Sequence, residues 1–180
     1  MIAEVKNYIK QIEKNESLSE YLESECDFYL EDEAQLKDDL EALLVGGESN
    51  YNLVPFACDG GGGIYALLDN GCVGFIDSEG SAGIVGNSVK NFFSIILSCG
   101  YITDFGKFGA LESKEAFLNY YNELEMPRDE ASVNDFIRKN DLVTDPEQIY
   151  TIFKDSVMAE PRLTIKATSD EYVDSEQFFI

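Results

Sequence analysis

From residue 54 to residue 100 the chain reads as short apolar runs separated by glycine turns and ending in one strongly apolar helix, and no other stretch limits the fold as much. Residues 54–58 and 64–68 predict two strands, joined through Asp59 and the four glycines 60–63. Asn70-Gly71 is a tight-turn signal, because Asn and Gly tolerate the positive φ that hairpin turns demand. Residues 72–76 predict the next strand and 81–85 another, with Asp77-Ser78-Glu79-Gly80 as the turn between them. Gly86 and Asn87 then stop the sheet. Asn87 or Ser88 caps a helix in which Val89, Phe92, Phe93, Ile96 and Leu97 share one broad face. Gly100 fits the left-handed position after that helix. The expectation is a small meander closed by a helix.

The charges divide the chain in the same way. Residues 51–100 hold four acids and one base, whereas residues 1–50 hold 14 acids against four bases and residues 101–180 hold 17 against eight. The middle is therefore expected to be the core and the flanks a solvated acidic coat. A chain of 180 residues fits one domain over 1–180 and buries about 70% of its unfolded surface. With 12 Phe, 10 Tyr and 44% hydrophobic residues it has the material for a real core despite its charge.

The flanks read mainly as helices. Ile2, Val5, Tyr8, Ile9 and Ile12 recur at helical spacing, residues 17–26 predict a second short helix, and 32–45 a firmer one. In that third helix Leu36, Leu40, Leu43 and Leu44 line one face, Asp32 with Gln35 offers a capping box, and Gly46-Gly47 ends it. Its outward face carries Glu33, Asp38, Asp39 and Glu41, most simply a solvated face. Residues 101–109 predict a loop anchored by Tyr101, Phe105 and Phe108. Ser113 caps a helix to about 124 with Phe117, Tyr120, Tyr121 and Leu124 inward, and Met126-Pro127-Arg128 breaks it. A short helix covers 133–139. Asp145-Pro146-Glu147-Gln148 starts another, with Ile149, Ile152 and Phe153 inward. Residues 163–167 alternate as a half-buried strand, and an acidic segment leads to Phe178, Phe179 and Ile180.

The net charge of −22 argues against binding nucleic acid or an anionic membrane surface, since each phosphate contact would work against a repulsive field. It favours a basic partner, although an acidic surface also serves solubility alone. No apolar run approaches the roughly 18 residues of a spanning helix, and no basic start precedes an apolar segment, so a cytoplasmic protein is expected. Cys26, Cys58, Cys72 and Cys99 match no metal or redox spacing. Cys58, Cys72 and Cys99 sit in apolar runs and are expected buried and reduced, while Cys26, in an acidic segment, is expected to be exposed and to react.

Catalytic chemistry finds little footing. The chain has no histidine, which removes the commonest general base and every histidine-dependent triad. The Asp59–Gly63 run invites a phosphate-cradle reading, but such glycines open a helix, usually with a lysine, and these lead into a strand, with Lys90 the next lysine along the chain. A hairpin turn is the better reading, with at least one glycine at positive φ. Asp77 and Glu79 flank a serine, which invites an acid/base or cation-site reading, yet they lack the ligand count of a calcium loop, and a polar turn fits better. No cofactor or metal site is indicated.

These same residues carry a likeness. Phe56, Asp59, Gly60, Gly62 and Tyr65, then Ser78, Glu79, Gly80, Gly83, Ile84, Val85, Asn87, Phe92 and Leu97, resemble in order and spacing the SUKH superfamily, the Smi/Knr-type immunity proteins. Members show a strand entering a DG-x-G turn, an aromatic after it, and a later SEG…GI segment leading to a helix. Gly86 stands where many members have alanine, and only Leu43 to Gly47 stands where many have a Leu-Pro-rich segment and an Asn-Gly. The likeness covers residues 33–100 best and continues more loosely beyond. It implies an α+β domain with a curved, mainly antiparallel sheet packed by N- and C-terminal helices. It also implies a non-enzymatic role: an immunity protein that binds and neutralises a cognate bacterial polymorphic toxin, often a nuclease. The family's eukaryotic regulators of cell-wall synthesis make a regulatory scaffold the alternative, and an enzyme or small-ligand binder using the Asp77–Gly80 turn is a third reading. A toxin domain with basic surface would be met by the acids of the central stretch, Asp59, Asp69, Asp77 and Glu79, which all fall at predicted turns.

Overall fold

A computed structural model of the protein describes residues 2–107, 109–127 and 130–179. Three helices open the chain, α1 (Ile2–Ile12), α2 (Glu16–Cys26) and α3 (Glu33–Leu43). Five strands follow, β1 (Gly47–Ser49), β2 (Leu53–Cys58), β3 (Ile64–Leu68), β4 (Val73–Ile76) and β5 (Ser81–Gly86). Then come α4 (Val89–Cys99), α5 (Ile102–Lys107), α6 (Lys114–Glu123), α7 (Ala131–Asn140) and α8 (Pro146–Val157), and the short strands β6 (Ile165–Ala167) and β7 (Glu176–Gln177). The class is α+β. An open five-stranded sheet runs in the order β2-β3-β4-β5-β7, and β1 pairs with β6 in a separate two-stranded sheet. The meander from β2 to β5 is antiparallel throughout, as expected, while β7 joins β5 in parallel.

Both faces of the sheet are covered, which is why β3 is apolar at all five positions rather than alternating. Tyr65, Leu67, Val73, Phe75 and Val85 point to a large core built with α1, α2, α4 and the C-terminal helices. Ile64, Leu68, Ile76, Ala82 and Ile84 point the other way, onto Leu36 and Leu40 of α3 and onto Leu163 and Ile165. The first core centres on rings. Phe92 lies 5.3 Å from Tyr65, 5.9 Å from Phe56, 6.0 Å from Phe28 and 5.3 Å from Phe93, centroid to centroid. Contacts at these distances add to what the buried area alone contributes.

The ends of α4 follow their local chemistry. Ser88 is the cap, its Oγ accepting from the Asn91 amide at 3.1 Å, and Gly100 closes the helix at φ +66°. Buried serines tie the neighbouring segments down: Ser156 Oγ accepts from the Asn87 amide and Ser94 Oγ from the Val143 amide. The outer edge of β2 is short of free ladder groups. Tyr29 exchanges both backbone bonds with Cys58, at 2.9 and 3.0 Å, and Pro55 beside a bulge has no N–H.

Several expectations are corrected. The flanks are not merely a coat: Tyr8, Leu22, Phe28, Phe117, Phe136 and Phe153 are all buried, and the acids there lie on the outer faces of the helices and in the segments between them. Residues 102–107 form α5 rather than a loop, because Ile102 and Phe105, three apart, both reach the core. Its Gly and Thr are weak helix formers, so packing decides. Strands β1 and β7 went unanticipated, since three and two residues of mostly polar character carry no period. Asp32 caps α3 through the Ala34 amide, but the Gln35 side chain turns to Asp39 instead of closing a box. Cys26 is buried, its thiol donating to the Ile96 carbonyl at 3.3 Å, and Cys58 is only half-buried. The expectations for Phe108, Arg128 and Ile180, and for the Ile2 side chain, lie outside the described residues.

Two predictions follow from the packing. At Gly86 an added β-carbon would stand 2.6 Å from Phe92 Cβ and 2.9 Å from its Cα, so backbone must move. Gly86→Ala should therefore cost about 1–3 kcal/mol, read as a lower urea midpoint. Burial raises the thiols of Cys26 and Cys72, and burial with Glu31 and Asp59 nearby pushes Cys58 up to about 11. Thiol labelling of the native protein, followed by mass spectrometry, should modify Cys58 first, slowly at neutral pH and faster as pH rises. Early labelling of Cys26 would contradict this placement.

Candidate functional site

The four acids singled out above all lie at turns, but the topology separates them. In an antiparallel meander the β2–β3 and β4–β5 connections share one end of the sheet, and the β3–β4 connection lies at the other. Asp59, Asp77 and Glu79 are therefore together, and Asp69 is opposite, with Asn52 Nδ2 donating to its Oδ2 at 3.1 Å. The two grouped loops are neighbours: a β-carbon built on Gly62 would lie 3.9 Å from Ser78 Cβ.

Both loops are closed by the same device. Asp59 Oδ1 accepts from the Gly61 and Gly63 amides at 3.0 and 2.6 Å, and Asp77 Oδ1 accepts from the Glu79 and Ser81 amides at 3.0 and 2.7 Å. An aspartate at the first position mimics the backbone of a turn, which is why both loops begin with one. Gly62 at φ +87° and Gly80 at φ +95° take the left-handed positions, as the hairpin reading of the glycine run requires. The amide of Gly60 goes to Asp27 Oδ1 and that of Gly62 to the Asp59 carbonyl. All four glycine amides are thus committed inside the protein, and none is left to cradle a phosphate.

The carboxylates consequently differ in what they can offer. Asp59 is half-buried and spends one oxygen on its own loop. Burial raises its carboxyl above the ordinary value, the Gly63 and Gly61 amides oppose this, and the charges of Asp27 and Asp77 add to it. Glu79 is exposed at the tip of its loop.

Beside the Asp77–Gly80 loop lies a cleft of about 430 Å³ that the sequence did not disclose. The turn after α3 forms one wall and residues 171–175 another. Val45, Tyr172 and Val173 stand on it 62%, 44% and 88% exposed, so three of the six large apolar side chains exposed among the described residues meet at one place. Tyr172 is held against the backbone of Gly46: a β-carbon there would come within 2.3 Å of the ring. The only signal in the sequence was the apolar pair Tyr172-Val173 inside an otherwise acidic segment.

Among the described residues no group of three or more Cys, Asp or Glu is placed to hold a metal ion, and no helix is long and apolar enough to cross a membrane. Comparison with protein-family models, with curated proteins and with solved structures finds no match. The likeness described above therefore rests on the residues of the central stretch themselves.

The Asp59 geometry makes a prediction with a defined sign. Its folded-state value lies above the unfolded one, so ionising it costs the folded state stability. That cost is absent below the ordinary carboxylate value and grows as pH rises through the window up to the raised one. Asp59→Asn keeps an acceptor for the two amides without the charge. It should match or exceed the wild-type urea midpoint at pH 7, and the advantage should vanish near pH 3. Asp59→Ala, which loses both bonds, should be destabilised by about 1–3 kcal/mol.

Proposed function

We propose that this protein is an immunity protein, which neutralises a cognate bacterial toxin by binding it and performs no chemistry of its own. The observation that carries the reading is the grouping of Asp59, Asp77 and Glu79 on two neighbouring loops at one end of the sheet, in a chain of net charge −22. A binding surface gains from loops held by a rigid scaffold, since less freedom is lost on association. Here each loop is fixed by its own aspartate and the sheet beneath is buried on both faces. The likeness to SUKH proteins supports the same reading, and an α+β fold with a mainly antiparallel sheet is what that likeness implied. A nuclease must present basic surface to its phosphate backbone substrate, and an acidic inhibitor is steered onto such a surface or competes for it. Four free thiols suit the reducing cytoplasm, where an immunity protein protects its own cell.

Any large multidomain toxin encoded beside this chain supplies the partner for the test. Co-expression should restore growth of cells carrying the toxin domain, and the purified pair should associate more slowly as salt rises. Asp77→Asn with Glu79→Gln should slow association at low salt by about two- to tenfold. An association rate independent of salt removes electrostatic steering. Failure to protect against the neighbouring toxin removes the immunity reading and leaves the regulatory scaffold.

A further inference from the structure

The cleft beside the Asp77–Gly80 loop combines two features that one kind of side chain satisfies together. Its exposed wall is apolar and aromatic, from Val45, Tyr172 and Val173, and its rim carries Asp77, Glu79 and Glu171 with no lysine or arginine among its lining residues. An apolar residue alone would leave the acidic rim unanswered, and an acidic one would be repelled by it. We infer that this cleft is the docking site for an arginine side chain projected by a basic partner protein. The guanidinium lies flat on an aromatic ring and offers a fork of donors to carboxylates, while its methylene stem covers apolar surface.

The site is already formed for such a guest. Tyr172 packs against Gly46, whose φ of +76° and missing β-carbon together make its seat, so one side of the ring is already placed before binding. Asp77 keeps its turn through Oδ1, and no side-chain ion pair involves Glu79 or Glu171 among the described residues. The volume of about 430 Å³ accommodates one long side chain with room for water, and Gly80 on the rim has nothing within 4 Å of where a β-carbon would stand. This assignment rests on the reading of the protein as a binder of a basic partner and names the anchor that partner would use.

The test uses acetyl-arginine amide as the probe against the ¹⁵N-labelled full chain, followed by amide chemical shifts, with acetyl-citrulline amide as its neutral isostere and acetyl-lysine amide as a second cation. The expected result is saturable shifts confined to residues 45–47, 77–80 and 171–175, strongest for arginine and weakest for citrulline. Tyr172→Ala should weaken arginine binding about two- to fivefold, and Glu79→Gln with Glu171→Gln should weaken it further, while peaks elsewhere stay in place to report an intact fold. Shifts spread over all acidic faces, equal response to citrulline, or indifference to Tyr172→Ala would overturn the assignment. A lysine response equal to arginine's would overturn the choice of guanidinium. The broader reading fails separately. If the toxin is neutralised and its affinity is unchanged in Tyr172→Ala, only the cleft is wrong. If arginine binds here but no toxin is neutralised, only the immunity role is wrong.

Discussion

The structure depends on how closely α4 lies against β5. Gly86 has no side chain, and so the backbone of Phe92 can occupy the space a β-carbon would fill. That approach seats the Phe92 ring among Phe28, Phe56, Tyr65 and Phe93, which come from the N-terminal region, the edge strand β2, the inner strand β3 and α4 itself. Phe75 extends the nest to Phe178, and Phe178 to Phe179 and Phe153. Interiors packed at this density shift little, and strain at one ring is passed to the next. An alanine at this position would need a different spacing between helix and sheet.

Charge is distributed to suit that core. The acids lie on the outer faces of the helices and in loops, and among the described residues none is fully buried, so repulsion acts mainly through water and salt rather than through the interior. The ion pairs are surface pairs such as Lys37 with Glu33 and Lys166 with Asp174, and pairs of this kind add little to stability. Two aspartates have a different task. Asp59 and Asp77 are spent largely on the backbone of their own turns, whereas Glu79 and Glu171 keep their charge outward. Acidic residues that look alike in the sequence are thus divided between building the surface and presenting it.

That division marks where sequence reasoning ran out. The meander, its turns and α4 were legible because their signals are local: glycines at left-handed positions, Asp and Asn at turn starts, apolar residues at fixed spacing. The N-cap of α8 was legible for the same reason, with Asp145 Oδ1 on the Gln148 amide and Pro146 following. What depends on distant partners was not. Helix α5 is held by where Ile102 and Phe105 land, β7 by pairing with β5, and Cys26 is hidden by α4, seventy positions along. The turn acids could be named one by one, but their separation into a group of three and an isolated Asp69 follows only from strand order. Tyr172 was invisible for the same cause, since its seat on Gly46 joins two segments more than a hundred residues apart.

The two borders of the main sheet bear on how another chain can attach. On one side Tyr29 already holds the bonding groups of Cys58, and Pro55 withholds a donor. On the other, the last strand is two residues long. Incoming backbone therefore finds interrupted rows of amides and carbonyls to extend, and stacking of copies edge to edge is discouraged by the same means. On the proposed reading, recognition of another protein falls instead to side chains on the loops. Such recognition is sensitive to single residues, so related chains sharing this frame can diverge in what they bind without altering how they fold.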